Sequence, residues 1–276
     1  MKVPLDISHK PLLTELFRKL SLQISEYSFA NLWLFRNKHH YQVLFDEMVF
    51  IEGQTYDKKR YLMPTGDLRT IRPETLIRLA STVDCFFPIP ESWVADLQQK
   101  GFKASFVEAD SDYLFSRKKL IELHGRHLAG QRNLIHHFRD RYENIHLAPL
   151  NDDAYRVLQI WKEKNEEDDF EECHEALEKR DELNLTGFVL YADGKPCGFV
   201  IGEYLPSAIF CIHFAKADVT FQGVYPYLFQ SMAMELPEDI EWLNWEQDLG
   251  DAHLHQAKQA YQPEILLKKW RLSYLP

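Results

Sequence analysis

The stretch from Thr186 to Phe214 constrains the fold more than any other part of the chain. Thr186 to Tyr191 reads as a strand, Asp193-Gly194 as a two-residue hairpin turn, and Cys197 to Tyr204 as the returning strand. Ala208 to Phe214 reads as a third strand. Gly223 then precedes a helical run from Tyr225 to Leu236. Glu241 to Trp245 reads as a strand, Asp251 to Tyr261 as a helix, and Leu266 to Ser273 as a last strand. Three antiparallel strands followed by strand, helix, strand, helix, strand predict an α+β fold with mixed sheets.

The first half carries shorter elements. Leu12, Leu13, Leu16, Phe17 and Leu20 repeat at helical spacing after Pro11, which suits a first-turn position. Tyr41 to Ile51 reads as a hairpin around Asp46-Glu47, and Tyr61 to Met63 as a short strand. A helix runs from Pro73 to Ala80. Cys85 to Pro88 reads as a buried strand, and Glu91 to Lys100 as a helix stopped by Gly101. Phe102, Ala104 and Phe106 alternate as in a half-buried strand. In a helix from Gly130 to Tyr142, one face carries Ile135, Phe138 and Tyr142, and another carries Arg132, His136 and Arg139.

A chain of 276 residues with 45% apolar and 27% charged side chains can bury a real core, as one large domain or two small ones. The break at Pro149 and a shift in charge place a boundary near Leu150, giving domains 1–150 and 151–276. The formal net charge is −10. The first 150 residues carry +3 of it and the remainder −13. Seven basic side chains between Arg117 and Arg141 face only Glu122 and Asp140, and His124, His127, His136 and His137 lie among them. This stretch could hold an anionic ligand, or be the solvated face of a helix. The eleven carboxylates between Glu163 and Glu182 read as a solvated face. Overall acidity argues against a duplex-DNA binder. The apolar runs are too short for a membrane span. Met1 to Lys10 lacks a secretory apolar region, and the four scattered cysteines, Cys85, Cys173, Cys197 and Cys211, read as structural thiols of a cytoplasmic protein.

The densest polar cluster, Asn244 to Asp251, lies between a predicted strand and a predicted helix, where open sheets place their ligand crevice. Glu246 there is a candidate general base for an attacking amine or hydroxyl. The plain alternative is helix capping by Asp248 or Asp251, with Glu246 in a surface turn. His213, between Ile212 and Phe214 and expected to point away from both, is a proton shuttle or a satisfied core histidine. Lys216 is a candidate for holding an oxyanion, phosphate or carboxylate. No phosphate-binding P-loop and no Gly-x-Ser-x-Gly elbow is present, and His174, His253 and His255 lack metal-site spacing, so no metal is expected.

Three ordered blocks then carry a resemblance. The first is Ser25 to Arg36. The second is Gly125 to Asn133 with His137-Phe138. The third combines Ile212–Ala217, Gly223–Tyr225, Asn244–Gly250, Ala257-Lys258 and Tyr261 to Pro263. Together they resemble the family of the phosphatidylglycerol lysyltransferase C-terminal domain, in its stand-alone bacterial form, over about residues 25–270. The resemblance implies tandem domains like acyl-CoA N-acyltransferases. It also implies an aminoacyl-tRNA donor in the lipid-modifying members, which anchor through a membrane domain. It carries over Arg126, Arg132 and Asn133 from the second block, and His213, Lys216, Asn244, Glu246, Asp248 and Tyr261 from the third. Trp245 stands where relatives often have arginine. In relatives that use acetyl-CoA, a glycine-rich turn cradles the pyrophosphate. The corresponding turn here, Thr220 to Tyr225 with Gly223 and Tyr225, has a single glycine.

The expected function is therefore (amino)acyl transfer from a carrier to an amine or hydroxyl. Glu246 would take the proton, Lys216 with backbone N–H groups would steady the oxyanion, and no cofactor is required beyond the donor. Aminoacyl-tRNA is favoured over acyl-CoA because the basic 117–141 stretch suits phosphate contacts. The alternative is a non-catalytic module binding RNA or an anionic metabolite. The decisive expectation is that Glu246, His213 and Lys216 converge on one small volume.

Overall fold

A computed structural model describes residues 1–164 and 169–274. The strands are β1 (Lys2–Pro4), β2 (Gln42–Phe45), β3 (Val49–Gln54), β4 (Arg60–Pro64), β5 (Cys85–Ile89), β6 (Lys103–Phe106), β7 (Asp112–Ser116), β8 (His146–Pro149), β9 (Thr186–Ala192), β10 (Lys195–Leu205), β11 (Ile209–Ala217), β12 (Trp242–Asn244), β13 (Ile265–Leu267) and β14 (Trp270–Ser273). They form two seven-stranded mixed sheets, ordered β1-β2-β3-β4-β5-β14-β6 and β13-β7-β12-β11-β10-β9-β8. The expected α+β class is the one found.

The chain forms two compact units. One comprises residues 1–112, 247–251 and 266–276, and the other 113–246 and 252–265. A boundary near Leu150 does not describe this division. β8, which ends at Pro149, pairs antiparallel with β9, and β7 pairs antiparallel with β12, so both strands belong to the second sheet. The expected last strand over Leu266 to Ser273 is two short strands in different sheets. β14 inserts between β5 and β6 of the first sheet.

In the first unit the helices Pro73–Ala80 and Glu91–Gln99 bury Leu76, Leu79, Trp93 and Leu97 against Phe50, Leu62, Phe86 and Leu272. Each such side chain contributes about 1.5–3 kcal/mol by leaving water. β6 is an edge strand, and Phe106 is 40% exposed rather than half-buried by alternation. The same unit buries a charged cluster. Lys269, fully buried, places Nζ 2.6 Å from both Glu26 Oε2 and Asp112 Oδ1, and donates to Ser25 Oγ at 3.2 Å and to Gln247 Oε1. The backbone N–H of Ser25 donates to Asp112 Oδ2 at 2.8 Å. Burial pushes the Glu26 carboxyl up to about 7 against the pull of Lys269, with Asp112 adding to the rise. Burial opposes the Lys269 charge, but the two carboxylates hold its pKa above the ordinary value.

In the second unit, Asp193 and Gly194 both adopt positive φ, as a two-residue hairpin turn requires, and join β9 to β10 where expected. The helix Val224–Glu235 packs on one face of β10, with Val224 and Leu228 over Gly198. The helix Asp153–Lys164 packs on β10 and β11 and buries Val157, Leu158 and Trp161.

Candidate functional site

The site grows from an irregularity between β10 and β11. Phe214 pairs with Ile201 and Ile212 with Gly202, so His213 is the extra residue of a β-bulge. Gly202 permits the close approach, because a Cβ there would lie 2.0 Å from the carbonyl oxygen of Cys211. Cross-strand partners share a face, so Phe199, Ile201 and Glu203 lie with Lys216, Phe214 and Cys211. The strict alternation expected around His213 is interrupted here, and its ring turns toward Glu203. His213 Nε2 lies 2.9 Å from Glu203 Oε1, and Nδ1 lies 2.8 Å from Glu246 Oε1.

Glu246 reaches this position from the end of β12, which runs parallel to β11 with Asn244 opposite Cys211. Its backbone is left-handed, with φ +54, a conformation that costs a non-glycine residue about 1–2 kcal/mol. Surrounding bonds impose it. The N–H of Glu246 donates to Asn244 Oδ1 at 2.7 Å, and its carbonyl accepts from the N–H of Tyr113 at 3.1 Å. Lys258 donates to the carbonyls of Trp245 and Glu246 at 2.7 and 3.2 Å. Strain held in this way is a mark of functional positions.

The His213 side chain is fully buried, while Glu203 and Glu246 retain 15% and 14% exposure. Burial pushes the imidazole pKa down. The Glu246 and Glu203 carboxylates on its two nitrogens outweigh this and raise it to about 10. His213 is therefore an imidazolium that donates from both nitrogens at neutral pH. The Cys211 thiol lies 3.8 Å from the same Glu246 Oε1.

The structure thus joins Glu246 and His213 directly. Lys216 sits on the same sheet face, but its ammonium is 2.7 and 2.9 Å from the Asp169 carboxylate oxygens and 3.7 Å above the Trp161 ring. Asp169 belongs to the acidic run read from sequence as a solvated face, of which residues 165–168 lie outside the described residues. Asn244 is buried and shapes the Glu246 turn. Asp248 is buried and accepts from the N–H of Gly250 at 2.9 Å.

Tyr261 packs against Trp245 with ring centroids 5.0 Å apart, and Phe115 and Phe229 lie 4.4 and 4.2 Å from Trp245. Trp245 is therefore an aromatic core residue. Arg132 donates to the carbonyls of Leu123 and Gly125, so it ties down a loop. Arg126 and Asn133 are exposed, as are His136, Arg139 and Arg141.

Gly223 has φ +86, and a Cβ there would lie 2.3 Å from the carbonyl oxygen of Leu134. It seats the start of the helix Val224–Glu235 against the helix Ala129–Arg141. Tyr225 stacks on Phe229 of its own helix. The amides before that helix are already engaged. Thr220 donates to Asp218 Oδ1 at 3.1 Å, Phe221 to the Asp218 carbonyl at 3.0 Å, and Gln222 to Tyr142 Oη at 3.0 Å. The Asp218 carboxylate is held in turn by Lys164 at 2.6 Å.

Sequence reading missed Glu203, Cys211 and Lys258 as parts of this site. A charged residue inside the apolar Phe199–Leu205 run was the available clue to Glu203. Lys258 lay in the third resembling block but was not singled out, and Cys211 gave no clue, because its partner Glu246 lies far away along the chain.

Comparison with known proteins places this geometry in context. A conserved protein of unknown function from Bacteroides thetaiotaomicron is 25% identical, with 99% of each chain covered and a TM-score of 0.84. The C-terminal domain of a putative lysylphosphatidylglycerol synthetase from Agrobacterium fabrum is 15% identical, covering 96% of this chain and 93% of that one, with a TM-score of 0.62. L-PGS from Bacillus licheniformis is 13% identical over 90% and 92% of the two chains, with a TM-score of 0.55. These last two likenesses concern the fold. An uncharacterized protein of Mycoplasmoides gallisepticum is 23% identical over 186 residues, and the match spans 58% of its length. Among the described residues no helix is long and apolar enough to cross a membrane. Residues 17–273, nearly the whole chain, match the family described as phosphatidylglycerol lysyltransferase, C-terminal, and the chain belongs to that family.

Proposed function

We propose that this protein transfers an aminoacyl or acyl group from a carrier to an amine or hydroxyl, with Glu246 as general base. The observation that carries this reading is the Glu246 carboxylate, fixed in a strained backbone conformation at a strand end and clamped by the His213 imidazolium. The acceptor nitrogen or oxygen attacks the carbonyl carbon of the donor ester or thioester, and its proton passes to Glu246. The carbonyl–carrier bond then breaks, and the carrier leaves with the proton that Glu246 took, which restores the carboxylate. His213 acts as the charge that orients Glu246, not as a neutral shuttle. Lys216 serves an oxyanion only by leaving Asp169.

Aminoacyl-tRNA is the favoured donor class. The amides of Thr220, Phe221 and Gln222, where a pyrophosphate would be cradled, already donate to Asp218 and Tyr142. The exposed Arg126, Arg139 and Arg141 suit a phosphate backbone. That same basic face supports the second reading, a module that binds RNA or an anionic metabolite without turnover.

The test offers charged tRNAs and coenzyme A thioesters to the purified protein, with amino acids and lipids as acceptors, and reads products by mass spectrometry. Glu246→Gln is expected to lower turnover by about 100-fold or more. An unchanged rate removes Glu246 as base. Salt-sensitive RNA affinity without turnover from any donor selects the binding module.

A further inference from the structure

Cys211, His213 and Glu246 have a property that acyl transfer does not use. Their donor atoms lie within 4.8 Å of one another. We propose that Cys211 Sγ, His213 Nδ1 and Glu246 Oε1 form a three-donor binding site for a zinc-class divalent cation.

The two donor distances to Glu246 lie close to those the ion needs. With bonds of about 2.0–2.3 Å and tetrahedral angles, donor atoms around zinc lie about 3.3–3.8 Å apart. Cys211 Sγ and Glu246 Oε1 are already 3.8 Å apart. His213 Nδ1 and Glu246 Oε1, at 2.8 Å, need to separate by about half an ångström. That displacement falls on the end of the Glu246 side chain, the partly exposed member of the three.

The scaffold holds the other two donors. Cys211 and His213 come from β11, where the bulge turns the imidazole toward Glu203. The left-handed turn at Glu246 is fixed by Asn244, Tyr113 and Lys258. Beyond the donors, His213 Nε2 donates to Glu203 Oε1 at 2.9 Å. A carboxylate on the far nitrogen of a histidine is the usual way a metal-binding imidazole is oriented.

One thiolate, one imidazole and one carboxylate select a borderline-soft ion such as Zn²⁺ or Co²⁺ over Mg²⁺ or Ca²⁺. Three protein donors leave a fourth position for water or a ligand. Binding exchanges the Cys211 thiol proton and the His213 Nδ1 proton for the cation, so charge and atoms balance. The cation occupies the carboxylate with which Glu246 would take a proton, so the metal-loaded form is inactive in transfer. That consequence rests on the transferase reading, whereas binding itself does not.

The experiment strips the purified full-length chain with a chelator and titrates it calorimetrically with zinc sulfate. A parallel titration with cobalt follows the thiolate charge-transfer band. The expected result is one saturable zinc per chain, a cobalt–thiolate band, and no binding of magnesium or calcium. Cys211→Ser removes the band and weakens zinc at least 10-fold. Glu203→Gln, which keeps all three donors, weakens it by about 10- to 100-fold. Circular dichroism verifies that both variants are folded. No saturable zinc, or zinc affinity unchanged in Cys211→Ser because the exposed His124, His127, His136 and His137 bind it, overturns the proposal. Glu246-dependent turnover in a chain without zinc affinity overturns this inference alone. Zinc binding by a chain that, once stripped of metal, turns over no donor leaves it standing and removes the transfer reading.

Discussion

Lys269→Met tests whether the buried ionic cluster of the first unit carries the charges its geometry implies. The substitution keeps the volume of the aliphatic stem and deletes an ammonium 2.6 Å from each of two buried carboxylates. Glu26 and Asp112 are then left without the compensating charge, and breaking a buried pair in this way costs about 3–5 kcal/mol. The cost should depend on pH. The Glu26 pKa is about 7 in the fold, pushed up chiefly by burial, and its ordinary value is 4.5. A carboxyl raised on folding binds more protons native than unfolded, so its contribution is fully present below about pH 4.5 and is lost as pH rises through about 7. Without Lys269 the Glu26 carboxyl is raised further, so the variant should lose most stability above neutrality. Urea denaturation at about pH 5.5 and about pH 8 reads the difference, which is expected to be larger by about 1–2 kcal/mol at the higher pH. The triple variant Glu26→Gln, Asp112→Asn, Lys269→Met should recover most of the loss, because neutral groups of the same shape leave no bare charge. A deficit equal at both pH values, with no recovery in the triple variant, refutes the reasoning.

Two further outcomes are expected. Gly223→Ala places a Cβ 2.3 Å from the Leu134 carbonyl oxygen at φ +86, so it should cost about 3 kcal/mol or more and lower the thermal midpoint of unfolding by several degrees; an unchanged midpoint would mean the two helices separate freely. Glu203→Gln removes one of the two carboxylates on His213, so in chelator-treated protein the imidazole should titrate about 1–2 units below its wild-type value of about 10 by NMR. The His213 contribution to stability, fully present below about pH 6.5, should then be lost at lower pH than in wild type. A wild-type His213 that titrates near 6.5 contradicts the clamped imidazolium.

Much of the second unit was legible from sequence because its cues are local. Asp193-Gly194 specifies its own turn, and the apolar runs beside it have no alternative but to pair. In the first unit, Pro73 and Gly101 likewise mark a helix start and a helix stop through their own backbone preferences. The ordered blocks from Ser25 to Pro263 were enough to point to the family.

Tertiary structure decided the rest. Leu266 to Ser273 reads as one strand, yet it serves two sheets, because Lys269 is drawn inward by Glu26 and Asp112, distant along the chain. His213 looked like an alternating strand residue until pairing with β10 made it the extra residue of a bulge. Lys216 read as a partner of Glu246, but Asp169 takes its ammonium. In each case the chain alone sets which residues prefer strand, turn or helix. Register and the pairing of buried charges depend on partners tens to hundreds of residues away, and those partners exist only once the sheets have formed.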